Sequence, residues 1–299
     1  MSRDYVVTLA VPPASPDLLA EALKDAQSLS EGVFHTVELA PEEAVEFRRT
    51  FADDEEAAGY RELLRLRMRG VPLDWCVQPV LHRRKRMLIA DMDSTIIGQE
   101  CLDELADVKG IKLQVADITE RAMRGELDFA SALRERIALL AGLTEADMQQ
   151  VLHERITLNP GAATLVRTMA AHGAHTVLVS GGFTFFTEAV AALAGFSSHR
   201  ANVFLWQAGE LMGVAEPILG REAKRVALHE EAAAHGLTPQ DVIAVGDGAN
   251  DLDMLRVAGL GVAYRAKPVV AAEAHAQVNH TALTTLLYFQ GYRRSEFVQ

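Results

Sequence analysis

Apolar and polar positions follow two different rhythms along this chain. Residues 4 to 11 read as a strand, the Ala/Leu/Glu-rich stretch from Ser15 to Leu29 carries a helical period, and segments at 33 to 39, 55 to 69 and 73 to 80 read as strand, helix and strand. Residues 1 to 80 are therefore expected to form a small α+β domain with three recognisable strands. From Arg86 onward the pattern changes to short unbroken apolar runs at Met87–Ala90, Thr176–Val179, Val242–Val245 and Leu260–Ala263, separated by helical stretches. Strands covered on both faces lose the alternation of a half-exposed strand, so these runs predict an α/β domain over residues 81 to 299, built on a doubly wound parallel sheet. Residues 101 to 155 interrupt that order with helical pattern alone, which predicts a helical cap inserted after the first strand. Around Gln207-Ala208-Gly209-Glu210 the apolar segments of 201 to 214 predict a hairpin turn.

Bulk properties narrow the partners. The formal net charge of −12 excludes a protein whose main work is gripping nucleic acid through phosphate neutralisation, and favours a small-molecule partner. The one dense basic run, His82-Arg83-Arg84-Lys85-Arg86, reads as a solvated junction between the two domains. Cys76 and Cys101 stand in no metal-binding or redox spacing, which fits a reducing compartment. No window approaches the ~18 apolar residues of a membrane span, and Met1 to Val11 lacks the charged-then-apolar order of a signal peptide, so a cytoplasmic location is expected.

Four segments carry candidate chemistry. Asp91-Met92-Asp93-Ser94-Thr95 follows the first strand, and ligands of doubly wound sheets gather beyond the carboxyl ends of strands. Two acids there suit phosphate-monoester hydrolysis: Asp91 as nucleophile divides a difficult reaction in two, and Asp93 as general acid and base serves the leaving alkoxide and then the attacking water. A strand-end Asx turn is the plain alternative for an isolated Asp-x-Asp. Ser180-Gly181-Gly182 follows the next run and offers a hydroxyl and bare amides to phosphoryl oxygens. Lys224 offers a fixed ammonium, although a helical lysine alone is ordinarily a surface group. Gly246-Asp247-Gly248-Ala249-Asn250-Asp251 brings further hard oxygen ligands. Asp91, Asp247 and the Asp93 carbonyl make a credible magnesium set, with Asp251 placed to orient Lys224 or a metal-bound water; the EF-hand calcium spacing and its terminal glutamate are absent.

These motifs, in this order, resemble the haloacid dehalogenase superfamily: Asp91-x-Asp93-x-Thr95, Ser180, Lys224 and Gly246-Asp247-Gly248-x-x-Asp251, over about residues 86 to 290. Aspartate at position 93 resembles the phosphatases of that superfamily. The wording Asp-x-Asp-Ser-Thr, Val-Ser-Gly-Gly-Phe and Val-Gly-Asp-Gly-Ala-Asn-Asp is similar to its phosphoserine phosphatase family. That resemblance implies magnesium-dependent hydrolysis of O-phospho-L-serine through an aspartyl phosphate, the last step of serine biosynthesis. It further implies that Glu100 and Arg136 recognise the amino and carboxylate groups, with a neighbouring arginine such as Arg134 as the alternative. Met123 and Phe129 would close the cap over the substrate, and Asn250 would lie near the phosphate or attacking water. The N-terminal domain resembles ACT-like or ferredoxin-like units, which implies amino-acid binding, homodimerisation or simple packing as its role. Two other activities fit the same motifs: phosphoryl transfer from phosphoserine to homoserine, and an amino-acid-sensing regulator whose phosphatase motifs go unused.

Overall fold

The structure is a computed structural model that describes residues 3–13, 15–31, 34–123 and 126–299, the side chain of Met123 excepted. Its first part runs β1 (Arg3–Ala10), α1 (Pro16–Ser28), β2 (Thr36–Ala40), β3 (Ala44–Phe51), α2 (Asp54–Arg67) and β4 (Asp74–Pro79). The strands form one antiparallel sheet in the order β2-β3-β1-β4, whose apolar face packs Val7, Leu9, Phe47 and Phe51 against Leu19, Ala26 and Leu64 of the two helices. Residues 44–51 form a fourth strand where the pattern suggested three. The expectation missed it because Glu46, Arg48 and Arg49 break the apolar run; Glu46 is nonetheless buried, with Arg83 as its partner.

The second part continues with β5 (Met87–Ala90), α3 (Cys101–Val108), α4 (Lys112–Met123), α5 (Phe129–Leu140), α6 (Glu145–Arg155), α7 (Ala162–Ala171), β6 (His175–Phe183), α8 (Thr184–Ala194), β7 (Ser198–Asn202), β8 (Phe204–Gln207), β9 (Glu210–Val214), α9 (Arg221–Ala234), β10 (Val242–Gly246), α10 (Leu252–Val257), β11 (Leu260–Tyr264), α11 (Pro268–Ala271), β12 (Ala276–Val278) and α12 (Thr285–Phe289). The sheet order is β12-β11-β10-β5-β6-β7, parallel throughout, with a hydrophobic cluster on each face. Its four predicted strands are all present, while β7 and β12 escaped notice because Ser198-His199-Arg200 and Gln277 interrupt their apolar character.

Helices α3–α6 fill the gap between β5 and β6. The chain leaves and re-enters the sheet side by side: Gly98 N–H donates to Thr157 O at 3.2 Å, Asn159 N–H to Ile96 O at 2.8 Å, and the Asn159 amide to Thr95 O and Ile97 O. This paired stem holds the cap directly above the carboxyl end of β5. The predicted hairpin is β8–β9, turning at Ala208 and Gly209, both with positive φ. Its Leu211 exchanges main-chain hydrogen bonds with Gly142 and Leu143, so it buttresses the far end of the cap.

The basic run is solvated only in part: His82, Arg84 and Arg86 are exposed, whereas Arg83 and Lys85 turn inward. Arg83 enters the seam between the two sheets, where its guanidinium pairs with Glu46 and donates to Phe289 O and Tyr288 O. Lys85 is 6% exposed and donates to Gln240 O at 2.8 Å. Arg84 covers the Tyr292 ring at 3.9 Å. The run is basic because the seam supplies carboxylate, carbonyl and aromatic partners for it. Among the described residues no helix is long and apolar enough to cross a membrane. Both cysteines are free and buried.

Candidate active site

The carboxyl ends of β5, β6 and β10 meet beneath the cap and bring the motif residues into one network. After β5, Asp91 lies in extended backbone and its Oδ1 accepts from the N–H of the next residue, Met92, at 2.8 Å, which is not the two-residue reach of an Asx turn. The same Oδ1 faces Lys224 Nζ at 2.5 Å. Lys224 is 3% exposed because it occupies the core stripe of α9: positions 224, 227 and 228 fall on one helix face, and Ala227 and Leu228 pack on the sheet. The lysine therefore lies under the cleft, not on the surface.

Asp251, fully buried, accepts from Lys224 Nζ at 2.6 Å through Oδ1 and from the Asp247 and Gly248 N–H groups at 3.0 and 2.9 Å through Oδ2. It thereby folds the acidic loop and fixes the ammonium at once. A side chain on Gly246 would overlap the Asp251 carboxyl, so glycine is required there. Asp247 is half-buried and accepts from Thr95 Oγ1 at 3.0 Å. Asp93 accepts from the Cys101 N–H at 2.9 Å and from Ser180 Oγ at 3.1 Å, and the same hydroxyl takes the Gly182 N–H at 2.8 Å.

The cap supplies a second layer. The Phe129 ring stands over Gly181, close enough that a Cβ there would lie 3.1 Å from Cζ. Glu100 keeps a water-accessible edge at the mouth of the cleft and accepts from Ser94 Oγ at 2.6 Å. Arg136 is half-buried and lies in the field of Asp103, Glu100 and Asp93. Arg134 pairs instead with Glu216 at 2.5 Å on the exposed side, which separates the two arginines that the sequence left as alternatives. The Asn250 amide lies against Gly248, half-buried. Met123 ends α4, and its side chain lies outside the described residues.

Charge in this cleft is poorly balanced. Burial, reinforced by the charge of Asp251, pushes the Asp91 carboxyl well above the usual range against the pull of Lys224. Burial and Asp251 likewise raise Asp247. Glu100 is pushed up to about 7 by burial and then by Asp93. Burial lowers the Arg136 guanidinium, while Asp103, Glu100 and Asp93 oppose that shift. For Lys224 burial acts downward too, but Asp251 and Asp91 outweigh it and carry it above its ordinary range. One buried ammonium, Lys224, thus pairs with both Asp91 and Asp251, and oxygens of Asp91, Asp247 and Asp251 lie within 4.8 Å of one another. Such an all-oxygen, over-negative donor set fits a hard divalent cation.

Comparison with known proteins accords with this geometry. A family profile described as haloacid dehalogenase-like hydrolase matches residues 88–256. A phosphoserine phosphatase of Albidiferax ferrireducens is 48% identical over 208 residues, covering 68% of this chain and 88% of its own length. The chain belongs to the haloacid dehalogenase-like hydrolases, in their phosphoserine phosphatase family. Enzymes of this kind are generally metal-dependent phosphoric monoester hydrolases, and the acidic cluster here is of a kind that could hold an ion. Among solved structures, a hydrolase of this family from Salmonella enterica serovar Typhi superposes with a TM-score of 0.82 at 30% identity, covering 95% of this chain and 98% of that one. A phospho-aspartyl intermediate analogue of phosphoserine phosphatase superposes with a TM-score of 0.64 at 33% identity over 69% of this chain and 99% of that one. The Salmonella hydrolase is matched over 95% of this chain, so the likeness is not confined to the hydrolase part.

Several residues of the network had no role in the sequence reading. Thr95 and Ser94 belong to the first motif, and their small hydroxylated pattern after Asp-x-Asp was a usable signal. Thr95 holds Asp247, and Ser94, at a positive φ of 55°, turns its hydroxyl to Glu100. Asn202 had no local signal. It is 2% exposed at the end of β7, donates to Gly181 O at 2.9 Å and accepts from the Leu219 N–H at 2.7 Å, so it tethers the Ser-Gly-Gly turn to the segment that leads into α9.

Proposed function

We propose that this protein hydrolyses O-phospho-L-serine to L-serine and phosphate through an aspartyl phosphate on Asp91, the closing step of serine biosynthesis. The observation that carries the reading is the buried Asp91–Lys224–Asp251 chain beneath a cap that holds an acid, Glu100, and a base, Arg136, at opposite signs. Lys224, fixed by Asp251, stabilises the negative charge of the phosphoryl group while keeping the Asp91 oxygens aimed into the cleft. Asp91 attacks phosphorus, the P–O bond to serine breaks, and Asp93 gives its proton to the departing serine oxygen. Asp93 then removes a proton from water, which attacks the acyl phosphate, releases inorganic phosphate and restores the Asp91 carboxylate. Ser180 and the Gly181 N–H hold phosphoryl oxygens, and Asn250 orients the water. Glu100 takes the ammonium of the substrate and Arg136 its carboxylate, while Phe129 shuts the pocket against bulk solvent.

Magnesium is the cation proposed for the carboxylates of Asp91 and Asp247 and the main-chain carbonyl of Asp93, where it would supply Lewis-acid neutralisation of phosphoryl charge. The test is phosphate release from O-phospho-L-serine against a panel of unrelated monoesters, with magnesium and with EDTA. Selective, magnesium-dependent release, unchanged by added homoserine, is expected. Equal release from every ester would remove the substrate assignment, and a fall in free phosphate with homoserine would make the protein a transferase.

A further inference from the structure

At the opposite end of β6 from Ser180 lies a second group of ligand-type side chains that the hydrolytic chemistry does not use. His175 begins β6, and Glu231 and His235 sit one turn apart at the carboxyl end of α9. Five strand residues, about 17 Å, separate His175 from Ser180, and seven helical residues, about 10 Å, separate Glu231 from Lys224. The two imidazoles stack with centroids 3.8 Å apart at 21°. Nitrogens of both rings and a carboxylate oxygen of Glu231 lie within 4.8 Å of one another.

Two of the three ligands, Glu231 and His235, are already oriented by a partner behind them. The two oxygens of Glu231 are divided: Oε1 accepts from Arg200 Nε and Nη2 at 2.9 and 2.6 Å, leaving Oε2 turned toward His175 Nε2 at 2.9 Å. His235 Nδ1 stands 2.9 Å from the Glu231 main-chain oxygen. A carbonyl oxygen only accepts, so Nδ1 carries the hydrogen and Nε2 of the neutral ring holds the lone pair. A carboxylate fixed by arginine and an imidazole fixed by a carbonyl are the outer-shell arrangements that orient metal ligands.

We propose that His175 Nε2, Glu231 Oε2 and His235 Nε2 form a site for a borderline divalent transition ion of the zinc class, open to water at a fourth position. Two imidazoles and one carboxylate select such an ion over magnesium, which takes oxygen ligands. Binding at Nε2 requires the neutral His175 ring to carry its hydrogen on Nδ1, so the proton shifts within the ring and none is released when both rings start neutral. The ion would clamp β6 to α9 behind the active cleft, because one element carries Ser180 and the other Lys224.

The experiment uses the full chain, free of any affinity tag, in millimolar magnesium so that the acidic cleft is occupied. Zinc is titrated by calorimetry, and cobalt by visible absorption. One ion per chain is expected, with an imidazole-bound cobalt spectrum and a zinc-dependent rise in Tm. His235→Ala, an exposed position whose loss leaves the core intact, should weaken zinc binding by at least about tenfold and remove the Tm response. His175→Ala should do the same. Absence of zinc binding in magnesium, or binding and spectrum unchanged in His235→Ala, would overturn the site.

Discussion

Two places in this molecule bury charge, and they do so differently. At the seam between the sheets, Asp74 is 3% exposed and its carboxylate accepts from the N–H groups of Asn279, His280 and Thr281 and from the Thr281 hydroxyl. Arg83, also at the seam, meets one carboxylate, Glu46, and two carbonyls. At the cleft, Asp91 is 5% exposed, yet it shares a single ammonium with Asp251 while Asp247 and Asp93 add further negative charge nearby. Charge at the seam is matched within the protein and serves the fold. Charge at the cleft is left in deficit of cations, which is the condition under which a metal and a transferring phosphoryl group bind.

Removing charge from each place should therefore give opposite results. Asp91→Asn is expected to lower kcat for phosphoserine by at least about 10⁴-fold, since the nucleophile is lost, while the urea midpoint falls no lower than in the parent. Activity within tenfold of the parent would show that Asp91 is not the nucleophile. Arg83→Ala should instead leave Glu46 buried without its partner and reduce stability by about 3–5 kcal/mol in urea unfolding, with kcat of the folded fraction unchanged. An equal loss of activity in that variant would mean that the seam and the cleft are coupled.

The two arginines of α5 sharpen the same contrast within one helix. Arg136 faces the cleft, so Arg136→Gln should reduce kcat/KM for phosphoserine by about 30–100-fold, the worth of a lost charge-assisted hydrogen bond. Arg134 joins Glu216 in a pair whose side chains are 51% and 60% exposed, and Arg134→Gln should change kcat/KM by less than about twofold. Steady-state kinetics on the two variants decides between them, and a larger effect at 134 would move the carboxylate ligand to that residue.

How much of this was readable beforehand follows from how local each feature is. The β5, β6, β10 and β11 runs are continuous apolar segments, and the motif acids stand immediately after them, so sheet and acid pair were visible in short windows. Strand β3 was hidden because Glu46 and Arg48 break its pattern, and only the distant Arg83 explains why an acid belongs there. Asn202 was hidden for the same reason, since its partners are 17 and 21 positions away along the chain. The basic run at 82–86 was partly misread because its partners come from residues near 46, 240 and 289, none of which a local reading of charge can supply.

Lys85 of that run gives the smallest effect and tests whether the seam is fully matched. It is held by one carbonyl, and burial lowers it to about 8, with Asp241 and Cys76 opposing weakly. Between that value and the ordinary lysine value of about 10.4 the unfolded chain binds the proton that the folded chain has lost, so stability contributed here rises with pH. The expected rise is about 1 kcal/mol between pH 8 and pH 9, measured as the difference in urea stability between the parent and Lys85→Met, which lacks the titrating group. The parent should gain on the variant as pH increases. A difference that stays flat would mean that Lys85 keeps its charge in the fold, and that the seam balances this cation as completely as it balances Arg83.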